Sequence, residues 1–134
     1  MSTTNTSIET ELSMRERAMI LGQAMPLWKS LCASIRQNAT ERSLKEHRAG
    51  VDQVIIGSKH GHIVLTLSTV PKIQFEVYRN RRQEIEEPEI KDSFTFELVN
   101  DRVWLTTSEG EHMNDTQASE YLLDLLTSIG EEDF

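Results

Sequence analysis

From Met14 onward, apolar residues recur at alternating spacings of four and three: Met14, Ala18, Leu21, Met25, Trp28, Cys32 and Ile35. That heptad spacing predicts one long helix. Ser13 and Glu16 stand as a capping box at its start. Pro26 lies inside the stripe, where it removes one helical hydrogen bond and crowds the carbonyl of Gly22. The stripe keeps its phase across Pro26, which predicts a kinked helix rather than two unrelated ones. Three heptads are short for an independent zipper, so the stripe is expected to be mainly core. Residues 37–50 are polar and extend the helix or form a loop.

After Gly50 the period changes to two. Val54 and Ile56 alternate with Gln53 and Ile55, then Ile63, Leu65 and Leu67 with His62, Val64 and Thr66. A turn at 58–61 sets Ile56 opposite Ile63 and Val54 opposite Leu65, so one face is apolar throughout. Ile73, Phe75 and Val77 continue the pattern past Pro71. A turn at Asn80-Arg81-Arg82 would set Ile85 opposite Val77, with the carboxylate-rich segment 84–92 as an edge strand or solvated loop. Phe94, Phe96 and Leu98 follow. Asn100-Asp101 suits a two-residue hairpin turn, because both residues tolerate positive φ. It pairs Leu98 with Val103, Phe96 with Leu105 and Glu97 with Trp104. Asn114 can cap a last helix whose apolar face is Ala118, Tyr121, Leu122, Leu125, Leu126 and Ile129, ended by Gly130. The expected fold is α+β: a long N-terminal helix, an antiparallel meander of five to six strands and a C-terminal amphipathic helix. Residues 1–12 read as a disordered tail, 13–130 as one domain and 131–134 as an acidic tail.

Composition adds two facts to this picture. The chain has 134 residues, enough for one core, and a single cysteine, which leaves no internal disulfide framework. No apolar run approaches a membrane span, and no secretory leader pattern opens the chain, so a cytoplasmic domain without membrane contact is expected. The net charge of −8 is uneven. Residues 1–35 are neutral, 36–82 carry a net +5, and 83–134 a net −13. Bulk acidity argues against nucleic acid as a partner, while the basic middle could meet phosphate, an acidic protein or the chain's own acidic half.

Catalytic chemistry leaves no signature. His60 and His62 stand at strand spacing, but a metal needs a third ligand, and His47 and His112 would have to arrive by folding. Neither a metal site nor a cofactor is expected. Cys32, on the helical stripe, reads as inert packing. The carboxylates at 84–92 and 109–115 read as solvated edges. There is no phosphate-cradling glycine loop, no G-x-S-x-G and no H-E-x-x-H. Two features remain. Arg79, Arg81 and Arg82 at a hairpin tip could engage an anion bidentately. Ile55, Val64, Tyr78 and Trp104 fall on the sheet face opposite Phe96 and Leu105, where an apolar patch would mark a protein contact unless the long helix covers it.

In size, acidity and helix–sheet–helix layout the chain resembles the small secretion chaperones, which implies a protein-binding role. The expected function is therefore a small non-catalytic adaptor or chaperone-like domain, acting through its sheet face on a protein partner or on a second copy as a homodimer. The alternatives are a small-molecule pocket or enzyme cleft between sheet and long helix, and phosphate or nucleic-acid contact through the basic tip.

Overall fold

A computed structural model of the chain describes residues 3–68, 72–79 and 87–131, with side-chain burial described between Met14 and Ile129. The expected α+β arrangement is present. Helix α1 (Thr3–Glu41) leads into seven described strands, β1 (Lys45–Ala49), β2 (Gln53–Gly57), β3 (Gly61–Leu67), β4 (Lys72–Arg79), β5 (Ile90–Val99), β6 (Arg102–Thr106) and β7 (His112–Met113), and α2 (Asp115–Glu131) closes the chain. Each strand pairs antiparallel with the next, in the order β1 to β7. No helix among the described residues is long and apolar enough to cross a membrane.

Alternation fixes the register as expected in two hairpins. Ile56 pairs with Ile63 and Val54 with Leu65. Phe96 pairs with Leu105, Glu97 with Trp104 and Leu98 with Val103. Asn100 and Asp101 both take positive φ, 52° and 63°, the twist that a two-residue turn between right-twisted strands requires. One pairing is corrected: Val77 lies opposite Ile90, not Ile85. The Asn80-Arg81-Arg82 turn and Ile85 lie outside the described residues. Two strands come as additions. β1 falls in the segment expected to be helix or loop; all five of its residues are exposed, so it shows no alternation. β7 is only two residues long. A charged, bulged edge such as β1 discourages further strands from pairing onto the sheet.

Both helices lie on one face. Val54, Ile56, Ile63, Leu65, Ile73, Phe75, Val77, Phe94, Phe96, Val103 and Leu105 form the buried face and pack in one cluster with the helices. From α1 that cluster takes Ala24, Trp28, Leu31, Ile35 and Ala39. The buried stripe thus shares only Trp28 and Ile35 with the heptad stripe. The face turned to the core, which also takes half-buried Ile20 and Leu27, lies to one side of the heptad stripe and overlaps it along one edge. α2 contributes Ala118, Leu122, Leu123, Leu126 and Ile129, while Tyr121 and Leu125 are half-buried at its margin.

α1 and α2 run parallel, tied by a polar ladder at successive turns. Ser34 donates to Asp115 at 3.2 Å, Asn38 to Ser119 at 2.7 Å, and Arg42 pairs with Asp124 at 2.8 Å. Ser119 is fully buried, so its bond to Asn38 sets the register of the two helices. Asn114 caps α2 as expected, within a reciprocal box: Gln117 N–H donates to Asn114 Oδ1 at 2.8 Å, and Asn114 N–H to Gln117 Oε1 at 3.0 Å. α2 continues to Glu131, so Gly130 lies within its last turn rather than just beyond it. α1 begins at Thr3 rather than at Ser13, which places Ser13 and Glu16 inside the helix and away from any cap.

Candidate functional site

Three surfaces carry chemistry. The first is the sheet face without helices. Ile55, Val64, Tyr78 and Trp104 all lie on it and all are half-buried. Ile55 and Val64 are cross-strand partners. Glu76 and Lys91 continue that row across β4 and β5. Tyr78 stacks on His62, ring centroids 4.9 Å apart, and donates to Glu76 at 2.6 Å. Trp104 sits on β6, four strands from Ile55, and the Arg102 guanidinium covers its ring at 4.3 Å. Both helices pack on the opposite face, so α1 leaves these four residues uncovered. They do not form one contiguous patch, because charged rows separate them.

The second surface is the N-terminal half of α1. Gln23 is the first described residue tied to the sheet: its Nε2 donates to the Asp101 carbonyl at 3.5 Å, and its Oε1 accepts from Val103 N–H at 3.1 Å. Burial starts at Ala24. Ile20, one turn earlier, is half-buried against the core, and the described side chains from Met14 to Met19 are exposed. At 39 residues α1 is about 58 Å long at 1.5 Å per residue. The first members of the heptad stripe lie beside the face that Ile20, Ala24 and Trp28 turn to the core, and they stay in solvent: Met14 is 64% exposed, Leu21 55% and Met25 39%. Ala18 between them is exposed too. Val51, whose carbonyl accepts from Trp28 Nε1 at 2.8 Å, adds another exposed apolar group beside the point where the helix leaves the sheet.

The third surface is a unit that only folding assembles. A cavity of about 560 Å³ opens where the end of α1 meets β1 and the β2–β3 turn. Arg42, Lys45, His47, Lys59 and His60 line it. α1 ends there in a Schellman motif: Leu44 N–H donates to the Ala39 carbonyl at 2.8 Å, and Ser43 N–H to that of Thr40 at 3.1 Å. Ser43 holds the left-handed position, φ 60°, where glycine is usual. Ser43→Gly is expected to stabilise the fold by about 1 kcal/mol, because a side chain in that conformation costs about 1–2 kcal/mol. A raised urea midpoint at unchanged slope checks this.

The remaining candidates resolve as follows. Arg79 is mostly buried and pairs with Glu89 at 3.5 Å, within the chain's own acidic half. Arg81 and Arg82 lie outside the described residues. His60 lines the cavity while His62 stacks on Tyr78, so the two do not converge, and no group of three metal-ligating side chains occurs among the described residues. His112 Nδ1 lies 2.8 Å from Thr106 Oγ1. Cys32 is half-buried, and burial pushes its thiol up to about 11 against the opposing pull of Arg36, so it stays protonated near neutrality. Burial also raises the Tyr121 hydroxyl, with Asp92, Glu109 and Glu111 adding to the effect. Among known proteins, no family model, no curated sequence and no solved structure matches the chain.

Proposed function

We propose that this chain is a protein-binding module that works as a homodimer, paired through the projecting half of α1. One observation carries the reading: an apolar heptad stripe lies exposed on a helix that runs beyond its own sheet. Helices are held mainly by packing an amphipathic face, and none of the described side chains from Met14 to Met19 packs on the core. The stripe is self-complementary under a two-fold axis between Met19 and Ile20. In that antiparallel register Met14 meets Met25 and Ala18 meets Leu21, a small residue against a large one, on both sides of the axis. Glu16 then faces Gln23 and Arg17 faces Gly22, so no like charges are opposed. The open sheet face would remain available for a protein partner, with the Ile55–Val64 pair as its apolar element, in keeping with an adaptor role.

Sedimentation velocity tests the pairing. The native chain is expected to sediment as a dimer at micromolar concentration and Leu21→Glu as a folded monomer, whose unfolding midpoint matches the native one only at dilutions where the native dimer has dissociated, since Leu21 lies outside the core. Ala18→Cys and Leu21→Cys chains should cross-link to each other more readily than either does to itself, as the antiparallel register requires. A native monomer at high micromolar concentration, or a Leu21→Glu dimer, would remove the proposal.

A further inference from the structure

We infer that the cavity at the end of α1 is a binding site for a small phosphorylated molecule. The inference is independent of self-association: the cavity begins at Arg42, about 25 Å along the helix from Met25. Five side chains that are cations or can become cations line the space, and no carboxylate stands among the described residues that line it. In a chain of net charge −8, with 22 acidic and 14 basic residues, a described lining of this kind is a local inversion of the overall composition. Its volume, about 560 Å³, suits a ligand larger than an inorganic ion and smaller than a polymer.

The backbone around the cavity is shaped to present these groups. β1 pairs with β2 through a bulge at Glu46–Arg48, which makes His47 the extra residue. A bulge re-aims the side chain it carries, and bulges are frequent beside binding sites. The His47 ring lies against Gly57, in space that any Cβ there would take. Gly57 thus leaves room for the imidazole that lines the cavity. Ser43 and Ser58 add hydroxyls to the wall. Arg42 is anchored by Asp124, and Lys59 and His60 hold contacts of their own within the chain, so these three are positioned groups. Lys45 and His47 form no ion pair among the described residues, so the Lys45 ammonium is a charge, and the His47 imidazole a hydrogen-bonding group, open to a ligand. A phosphate monoester matches this set: it is dianionic near neutrality and accepts hydrogen bonds from ammonium, imidazole and hydroxyl groups at once. A bounded cavity, rather than a basic stripe, favours a small ligand over a nucleic-acid backbone.

Titration calorimetry with inorganic phosphate and glucose 6-phosphate, at ionic strength held constant with chloride, tests the site. Saturable one-to-one binding is expected, tighter for the sugar phosphate. Imidazole NMR signals of His47 and His60 should shift on titration while that of His112 stays fixed. Lys45→Ser and His47→Gln should each weaken binding by about tenfold or more, with thermal unfolding unchanged because both residues are exposed. Gly57→Ala, which drives the imidazole from its seat, should weaken it as well. Non-saturable heats that track ionic strength alone, equal shifts at His112, or native affinity in the Lys45 and His47 variants would overturn the inference. Tighter binding of a single-stranded oligonucleotide than of the sugar phosphate would overturn the small-ligand assignment.

Discussion

Trp28→Ala is expected to lower the unfolding free energy by about 3–5 kcal/mol, the range for truncating a buried large aromatic. Trp28 is 1% exposed and sits where α1 first settles on the sheet. The truncation costs apolar burial and leaves a cavity bordered by a regular sheet that cannot collapse into it. The indole Nε1–H bond to Val51, 2.8 Å, is lost as well. That loss is the smaller part, because Val51 belongs to an exposed turn and its carbonyl can be re-solvated. Trp28→Phe separates the two contributions. It keeps most of the ring volume and should cost about 1 kcal/mol for the hydrogen bond plus a modest packing loss. Urea denaturation followed by fluorescence of the remaining Trp104 gives both values. A native midpoint for Trp28→Ala would mean that α1 does not pack on the sheet through this residue.

How much of the fold is legible in the sequence depends on whether a residue's neighbours share its pattern. β2, β3, β5 and β6 place their core residues Val54, Ile56, Ile63, Leu65, Phe96, Val103 and Leu105 at every second position, so a one-residue slip would break the apolar face, and these registers are legible in the sequence. β1 is invisible because an exposed edge strand carries no alternation, and Lys45–Ala49 is charged along most of its length. The cavity escapes sequence reasoning for the same reason. The net +5 of residues 36–82 is plain, but its gathering around one space depends on β1 pairing with β2 and on the bulge at His47. α1 shows the opposite case. The heptad stripe is helical as its spacing predicts, yet its periodicity does not say which members the sheet buries. That depends on where the β1–β2 and β5–β6 turns meet the helix, through Val51 and Asp101. The half of the stripe left in solvent is the half through which we propose that the chain pairs.

Gly61→Val is expected to cost about 3 kcal/mol, at the upper end of ordinary overpacking. Gly61 opens β3 opposite Arg79. A Cβ there would run into the carbonyl of Tyr78 on β4 and approach the Ile129 Cδ1 of α2 to 2.6 Å. A methyl group at the end of a side chain can rotate aside. A backbone carbonyl in a paired strand can move only by shifting β4, and Val77 next to it is fully buried in the core. The close approach of β3, β4 and the end of α2 therefore requires a residue without a side chain, which is why a glycine stands inside a strand that is otherwise rich in β-branched and apolar residues. Gly22→Ala should move stability the other way. Nothing lies within 4 Å of the place its Cβ would take, and the residue is exposed within a helix, so alanine should gain about 0.5–1 kcal/mol from reduced chain entropy. Paired thermal melts of the two variants read this contrast directly. If Gly61→Val unfolds with a native midpoint, the tight junction between β3, β4 and α2 is not present as described.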